Sequence, residues 1–561
     1  MRELFNVYAT MRDGVKLACD IRLPDSGEPV PAILLRTPYL KDRIPKDDLY
    51  ANYEELTNAG YAVVNQDCRG TGKSEGFLDA TGASEINDGY DTIEWVAGQD
   101  WCNGKVGMHG LSYFGFDQMA AAEGNPPHLA AFCPFQNGAR LPFSVSRAGT
   151  FESYHLAWIL DRCIENLDSW VKKPENEKQA LRDKLIDYRE HFSEYSSRLP
   201  AVECEITRIP ELPQLKAYQM LVDGMENPNF LIRAHRPIRV EDIDRPMLFL
   251  TGWFDGALDG TMDNWKAATR NGVRTHDRRL IIGPWTHGGG LASCTDGYDF
   301  GEQNSGTAFG IHRIEREWFD YWMKGIGNGT DKTPVVRYFM LGSNTWETAD
   351  CWPPQEMEEL AFRLIGCEDR KGGKLAEAEK EPMKGISFVS DPADPLPSMF
   401  RDAEGRMILA DPQVQYDRQD ILVYRSDALT QDLAVAGNVR LRLRASVSTP
   451  DADFFARLSD VDEQGTAFPL AKGIIRCRFR NGPKAEWMTP GEVYELEIDL
   501  GHTANLFRKG HRLLLDISGS FYPAHDRNLH TRERIGFGKE MIPSVQTVEP
   551  GSKLIIPVIR R

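Results

Sequence analysis

The run Gly110-Leu111-Ser112-Tyr113-Phe114-Gly115 constrains this chain more than any other stretch. Before it lies the strand-like Lys105-Val106-Gly107-Met108-His109, and after it the alanine-rich Asp117 to Glu123. The pattern predicts a strand, a sharp turn and a helix, with Ser112 at the apex. A serine hydroxyl is a poor nucleophile unless it is held exposed beside a base. A strand-to-helix elbow does that, and its next backbone N–H points to where an oxyanion would form. Phe114 stands where the commoner elbow has its second glycine, so the motif reads Gly-x-Ser-x-x-Gly. Gly-x-Ser alone recurs by chance in many chains, so the other members must come from elsewhere.

They do, in the order Ser, acid, His that this architecture uses. Arg245-Pro246-Met247-Leu248-Phe249-Leu250-Thr251-Gly252 is apolar and strand-like, and it ends in Trp253-Phe254-Asp255. Arg279-Leu280-Ile281-Ile282-Gly283-Pro284 is a second such run and ends in Trp285-Thr286-His287. Each candidate stands just past the C-terminal end of a strand, where ligands gather in open α/β sheets. About thirty residues separate the two, enough for a crossover helix between parallel strands, predicted over Met262 to Thr269. Asp259 and Asp263 compete with Asp255 as the acid but lie further from the strand end. His109, inside the preceding strand, reads as a hydrogen-bonded core histidine, and His276 as a surface residue of the crossover. His502 and His511 show no strand-end acid partner. His287 is the base this pattern selects.

These residues carry a family resemblance. The set Arg36-Thr37-Pro38-Tyr39, Asp67 to Gly76, Gly107 to Tyr113, Gly252 to Asp255 and Gly283 to His287 resembles the cocaine esterase and X-prolyl dipeptidyl-peptidase family of serine hydrolases. By that resemblance Ser112 is the nucleophile, His287 the general base and Asp255 its orienting acid. Tyr39 would give its phenol O–H to the oxyanion hole, beside the backbone N–H of Tyr113. The local sequence agrees. Pro31 to Thr37 reads as a buried strand, Pro38 lacks a donor N–H and stops its ladder, and the next residue emerges at the sheet edge that carries the elbow. A tyrosine that merely packs over a loop is the plainer alternative. The expected reaction is acyl transfer through an acyl-enzyme, with no metal or organic cofactor.

The substrate is less constrained. The α-amino-ester branch of the family places a carboxylate pair two and three residues past the triad acid, where it binds the substrate ammonium. Here those positions are Ala257 and Leu258. An apolar wall cannot compensate the desolvation of a charged amine, so a small ester with a neutral acyl group is expected. An X-Pro dipeptidyl-peptidase acting on short peptides is the alternative, and it needs an anchor for a free amino terminus. Glu152, Asp161 or Glu165 would have to supply it. A non-catalytic binding protein on the same fold is a third reading. The resemblance also implies self-association through the β domain, hence a homodimer.

Two further motifs are decoys. Asp67 to Ser74 ends in Gly-Lys-Ser, but a P-loop needs glycine where Asp67 stands. A dinucleotide fingerprint also fails, because Glu75 follows where a third glycine belongs. The stretch reads as a tight charged turn after the strand Tyr61 to Gln66, with Arg69 ion-paired. His287-Gly288-Gly289-Gly290 mimics a lipase oxyanion loop, which would precede the nucleophile in the chain. The formal charge of −17 argues against nucleic acid. Ten cysteines without a Cys-x-x-Cys pair suggest neither a zinc site nor a disulfide framework, as expected of a cytoplasmic protein. No stretch reaches membrane-spanning length.

The 561 residues favour several domains. Val7 to Leu23 reads as a hairpin with a two-residue turn at Asp13-Gly14. Alternating strand and helix signals then run to about Gly138, as in a mostly parallel sheet. Leu156, Ile159, Leu160, Ile164 and Leu167 recur at helical spacing in a strand-poor insertion. It would emerge above Ser112 as a helical cap, whose Trp158 and Trp170 either pack or line the pocket. Past Trp352-Pro353-Pro354 the pattern turns to strands. Val439, Leu441, Leu443, Ala445 and Val447 alternate with Arg440, Arg442, Arg444 and Ser446, one buried face against one wet face. The expectation is an α/β-hydrolase fold with a helical cap insertion and a C-terminal β-sandwich of jelly-roll type. The catalytic parts would be 1–142 and 241–350, the cap 143–240 and the β domain 351–561.

Overall fold

Val30–Thr37 and Met247–Phe254 are continuous apolar runs, as strands covered on both faces must be. They belong to a ten-stranded sheet. Its strands are β1 (Arg2–Thr10), β2 (Lys16–Leu23), β3 (Val30–Thr37), β4 (Ala62–Asp67), β5 (Cys102–Leu111), β6 (Leu129–Phe135), β7 (Met247–Phe254), β8 (Arg278–Thr286), β9 (Val336–Met340) and β10 (Thr345–Ala349). The spatial order is β1-β2-β4-β3-β5-β6-β7-β8-β9-β10. Neighbours from β4 to β9 run parallel, and β1, β2 and β10 close the two ends antiparallel. The computed structural model describes residues 1–559 except 45–46, 49–50, 79–81, 83, 139–148, 151–153, 217–237, 271, 273–274, 289–290, 296–297, 356, 367–368, 378–383, 402–406, 410–414 and 483.

Six helices matter for the site: α1 (Glu85–Ala97), α2 (Tyr113–Glu123), α3 (Tyr154–Glu165), α4 (Glu175–Glu190), α5 (Leu258–Ala268) and α6 (Ile311–Lys324). Successive residues of β3 feed opposite cores. Ala32 and Leu34 pack into the cluster holding Ile93 of α1, Met119 of α2 and Trp265 of α5, whereas Ile33 and Leu35 join Trp318 and Phe319 of α6. The sheet is thus sandwiched between helices, and the chain has the α/β-hydrolase fold with a separate C-terminal β-rich domain.

Several expectations need correction. The first hairpin encloses three residues, not two: Met11 N–H donates to Val15 O (2.8 Å), and Gly14 takes φ +87° inside the loop. A left-handed residue closing a three-residue loop also matches strand twist, which explains the substitution of one turn for the other. The crossover helix α5 starts at Leu258, four residues before the predicted start, because the turn held by Asp255 runs straight into it. His511 does have an acid partner. Its Nδ1 lies 2.9 Å from Asp460 Oδ1, near the end of the β-domain strand Asp453–Val461. That contact crosses between strands, where a search along α/β strand ends does not look. His502 accepts the indole N–H of Trp352 (3.1 Å). His109 is buried against the Glu315 carboxylate, and His276 is exposed.

The described part of the insertion is helical, from α3 and α4 through shorter turns to Lys216. Leu156, Ile159, Leu160 and Leu167 form its core, and Phe479 and Ile535 of the β domain complete that core. Val202 N–H donates to Gly536 O (3.0 Å), and the Arg527 guanidinium donates to Ser197 O. Below, the insertion rests on the 70–72 turn: Trp170 donates its indole N–H to Gly70 O, and Gly72 N–H donates to Asn166 Oδ1 (2.9 Å). Trp170 is therefore an anchor of the insertion. Arg69 stiffens the same turn with a two-pronged bond to Asp88 (2.8 and 2.6 Å) and a third to Asp13.

Among the described residues the β domain holds an eleven-stranded sheet, ten strands in one path and Tyr494–Phe507 branching off Leu433–Val447, antiparallel except where Gly373–Ala376 meets Ile421–Ser426. Leu433–Val447 pairs with Tyr494–Phe507 along its length. Val439, Leu441, Leu443 and Ala445 are buried, while Arg440 and Arg442 lie on the outer side against Glu497. No helix among the described residues is long and apolar enough to cross a membrane.

Candidate active site

Ser112 sits between the end of β5 and the start of α2 at φ 64° and ψ −124°. A non-glycine residue held there costs roughly 1–3 kcal/mol, and two backbone bonds fix it. Ser112 N–H donates to Phe135 O, and Ser112 O accepts Phe116 N–H, both at 3.0 Å. The missing second glycine is explained by its neighbours. Gly110 (φ +131°) leaves room for Phe114, because a Cβ there would lie 2.5 Å from the Phe114 Cβ. Gly115 makes the close approach to β6, where a Cβ would lie 2.7 Å from Phe135 O.

The strand ends bring the three expected triad members together. The Ser112 hydroxyl donates to His287 Nε2 (2.9 Å), and His287 Nδ1–H donates to Asp255 Oδ1 (2.7 Å). Asp255 is buried, and its remaining capacity is used: Oδ1 also accepts Ala257 N–H (2.8 Å), and Oδ2 accepts the Thr251 hydroxyl (3.1 Å). The imidazole is 38% exposed. Burial works to lower its pKa, but the hydrogen bond and charge of Asp255 outweigh burial and raise it above the ordinary value. Of the competing acids, Asp259 packs against Gly501 of the β domain and Asp263 is exposed on α5.

Gln136 is a member of the site that the sequence reading missed. It takes φ 46° just past β6. Its Nε2 donates to Thr286 O (2.8 Å), and its Oε1 accepts Gly288 N–H (3.0 Å), so one side chain clasps the backbone on both sides of His287. The signal was available, since Gln136 follows a further strand end at the same edge of the sheet.

Tyr39 emerges after β3, and its ring lies 5.7 Å from that of Phe114, over the elbow. Its phenol oxygen accepts the indole N–H of Trp158 (3.3 Å). Tyr113 opens α2, so its N–H belongs to the first-turn amides, which point out past a helix start. The Tyr113 ring stacks on Trp158 (5.6 Å, 12°), and its hydroxyl donates to Glu85 Oε1 (3.3 Å), which is itself ion-paired with buried Arg36. Trp158 on α3 thus touches the Tyr39 phenol and the ring of Tyr113, the two residues expected to supply oxyanion donors. Arg162, one turn further along α3, lies with its guanidinium carbon 4.5 Å from the Tyr39 ring centre and 5.5 Å from that of Trp158. Ala257 and Leu258 are buried on the acid's side of the site, and Ala257 also braces Asp255 through its backbone.

The relationships to known proteins agree with this geometry. Residues 13–289 match the X-Pro dipeptidyl-peptidase (S15) family, and residues 328–554 match the X-Pro dipeptidyl-peptidase C-terminal non-catalytic domain. The cocaine esterase of Rhodococcus sp. (strain MB1 Bresler) is 30% identical, across 99% of this chain and 98% of its own. An aminopeptidase from a marine-sediment Thaumarchaeota archaeon shares the fold with a TM-score of 0.76 at 24% identity, over 100% of this chain and 96% of its own. An α-amino acid ester hydrolase does so with a TM-score of 0.75 at 23% identity, over 99% and 96%. Ser, acid and His in that chain order, each past a strand end at one edge of the sheet, together with relatives that match over nearly the whole length, leave one assignment: the chain belongs to the cocaine esterase and X-Pro dipeptidyl-peptidase family of serine hydrolases.

Proposed function

We propose that this hydrolase cleaves esters with a neutral acyl group through an acyl-enzyme on Ser112. The continuous relay Asp255–His287–Ser112 is the observation that carries the reading. Neutral His287 takes the Ser112 proton as the oxygen attacks the carbonyl. Asp255 holds the imidazole with its proton on Nδ1 and stabilises the imidazolium. The Tyr39 phenol and the Tyr113 N–H receive the tetrahedral oxyanion. His287 then protonates the leaving alcohol, and water repeats the sequence on the acyl-enzyme. In this reading the helical insertion 143–240 caps the two catalytic parts, 1–142 and 241–350, and residues 351–561 form the β domain.

Three features support a neutral acyl group. Ala257 and Leu258 put apolar surface where a carboxylate pair would bind an ammonium. Asp161 is ion-paired with Arg189 (2.6 Å), and Glu165 with Arg162 (2.8 Å), so both acids already have cationic partners. The 30% identical relative is a cocaine esterase. The S15 match favours a peptidase instead. Of the acids that could anchor a peptide amine, Glu152 lies outside the described residues.

A matched panel separates the two readings: an aryl-acyl ester, short alkyl esters, an α-amino ester and a Gly-Pro anilide. Neutral esters are expected to exceed both amine substrates in kcat/KM by about 100-fold, because an unpaired ammonium desolvates at high cost. Preferential, amine-dependent cleavage of the Gly-Pro substrate would establish the peptidase.

The pH dependence gives a second check. The base must be neutral, and the raised pKa of His287 favours its protonated form. Activity is therefore lost as pH falls through that raised value. The acid limb of kcat/KM is expected above the ordinary histidine value of about 6.5. A limb at or below that value would mean that burial, not the Asp255 charge, dominates the imidazole in the free enzyme.

A further inference from the structure

Arg162 belongs to no step of the reaction described above, yet it is only 6% exposed and lies against Tyr39 and Trp158, which pack on the elbow residues Phe114 and Tyr113. Trp158 and Arg162 are four residues apart on α3, so they share one face of the helix. The guanidinium sits over the Tyr39 ring at 4.5 Å and over the Trp158 ring at 5.5 Å, and Nη2 donates to Glu165 Oε1 (2.8 Å). The Tyr39 and Trp158 rings meet edge to face (6.4 Å, 89°). The Trp158 N–H reaches the Tyr39 phenol oxygen at 3.3 Å.

We infer that Arg162 is a positioning residue for the oxyanion donor Tyr39: its charge on the ring face, together with the Trp158 N–H on the phenol oxygen, makes the Tyr39 O–H a stronger and better-aimed donor. This rests on the reading of Tyr39 given under Proposed function. A cation over a π face draws electron density out of the ring, and in a phenol that density comes partly from the oxygen. The hydrogen bond accepted from Trp158 polarises the O–H in the same direction, as chains of hydrogen bonds do. It also occupies an acceptor position of the oxygen and aims the remaining O–H hydrogen. Both effects grow as negative charge develops on the bound carbonyl oxygen. They act on the transition state more than on the bound substrate, so they raise kcat and leave KM nearly unchanged. Glu165 pairs with Nη2 and offsets only part of that charge, which keeps the guanidinium from holding a substrate anion instead.

The test is a double-mutant cycle. Arg162→Met keeps the bulk and removes the charge, Arg162→Lys restores the charge, and each is measured with Tyr39 and with Tyr39→Phe. With Tyr39 present, Arg162→Met is expected to lower kcat on the order of tenfold with KM within about twofold. Arg162→Lys should recover most of that loss. In the Tyr39→Phe enzyme, which itself loses roughly 100- to 1,000-fold, Arg162→Met should have no further effect on kcat. Trp158→Phe keeps an aromatic ring, removes the N–H and should show the same dependence on Tyr39, which covers the case of an Arg162→Met enzyme that does not fold. Equal losses in both backgrounds, or a parental kcat for Arg162→Met, would overturn the inference and leave the role of Tyr39 standing. A parental kcat for Tyr39→Phe would instead remove Tyr39 from the oxyanion hole, and the role of Arg162 with it.

Discussion

The Ser112→Ala enzyme is expected to turn over about a million times more slowly than the parent while remaining folded. The two halves of that statement rest on different atoms. The chemistry depends on the hydroxyl that donates to His287 Nε2 at 2.9 Å, and alanine removes it. The elbow depends on backbone bonds, Ser112 N–H to Phe135 O and Phe116 N–H to Ser112 O, and alanine keeps them. Alanine inherits the φ of 64° with much the same strain as serine, so stability should change by no more than about 1 kcal/mol. The proposed oxyanion donors also survive, and they are expected to set the small residual rate above uncatalysed hydrolysis. Steady-state hydrolysis of a neutral aryl ester reads the loss, with circular dichroism as the check on folding. Retention of more than about a thousandth of the parental kcat, in protein free of parent enzyme, would mean that the nucleophile lies elsewhere.

Asp255 is expected to give a graded result that depends on its three donors. Asp255→Ala removes the acceptor for His287 Nδ1–H and leaves the Ala257 N–H unanswered, with a loss on the order of 10⁴-fold in kcat. Asp255→Asn should lose less, for a local reason. Oδ1 takes both N–H donors, while Oδ2 faces only the Thr251 hydroxyl. A hydroxyl can turn and accept, and a backbone N–H cannot. The asparagine amide can therefore put its oxygen toward His287 and Ala257 and its NH2 toward Thr251. The imidazole then keeps its proton on Nδ1, and only the charge that stabilises the imidazolium is lost. Asp255→Asn should retain at least about ten times the kcat of Asp255→Ala. In a Thr251→Val background that advantage should shrink, because the NH2 then has no acceptor. An asparagine variant no better than the alanine one would mean that the carboxylate acts through charge alone.

The catalytic half of this arrangement was legible because parallel α/β strands write their ends plainly. Buried strands read as unbroken apolar runs, and the residue just past such a run stands at the working edge of the sheet. Ser112, Asp255 and His287 all follow that rule, and Gln136 follows it too, although nothing in its own chemistry draws attention to it. Contacts that cross between elements were not legible. The His511–Asp460 pair joins strands distant in sequence, and Arg162 on α3 meets Tyr39 from β3 only after the insertion folds back over the sheet. Local spacing also misjudged small backbone matters, such as the first hairpin and the start of α5, where one or two hydrogen bonds decide between neighbouring solutions. Ala257 and Leu258 are apolar in the sequence and buried in the fold. That Ala257 would hold the acid through its N–H was not legible, because main-chain donors leave no mark on a sequence.

The insertion that carries Trp158 and Arg162 stands on two supports, the turn at 70–72 below and the β domain beside it, where Phe479 and Ile535 fill its core. The β domain is consequently not interchangeable luggage. A chain ended after Ala349 would keep Ser112, His287, Asp255 and Tyr39, but it would give up one of the two walls that hold α3 in place. If Tyr39 receives the oxyanion as proposed, exchanging the β domain for that of a relative is expected to alter how firmly it is held, through the support of α3. On the proposed reading of Tyr39 and Arg162, the C-terminal domain thus tunes the reaction through the insertion it supports.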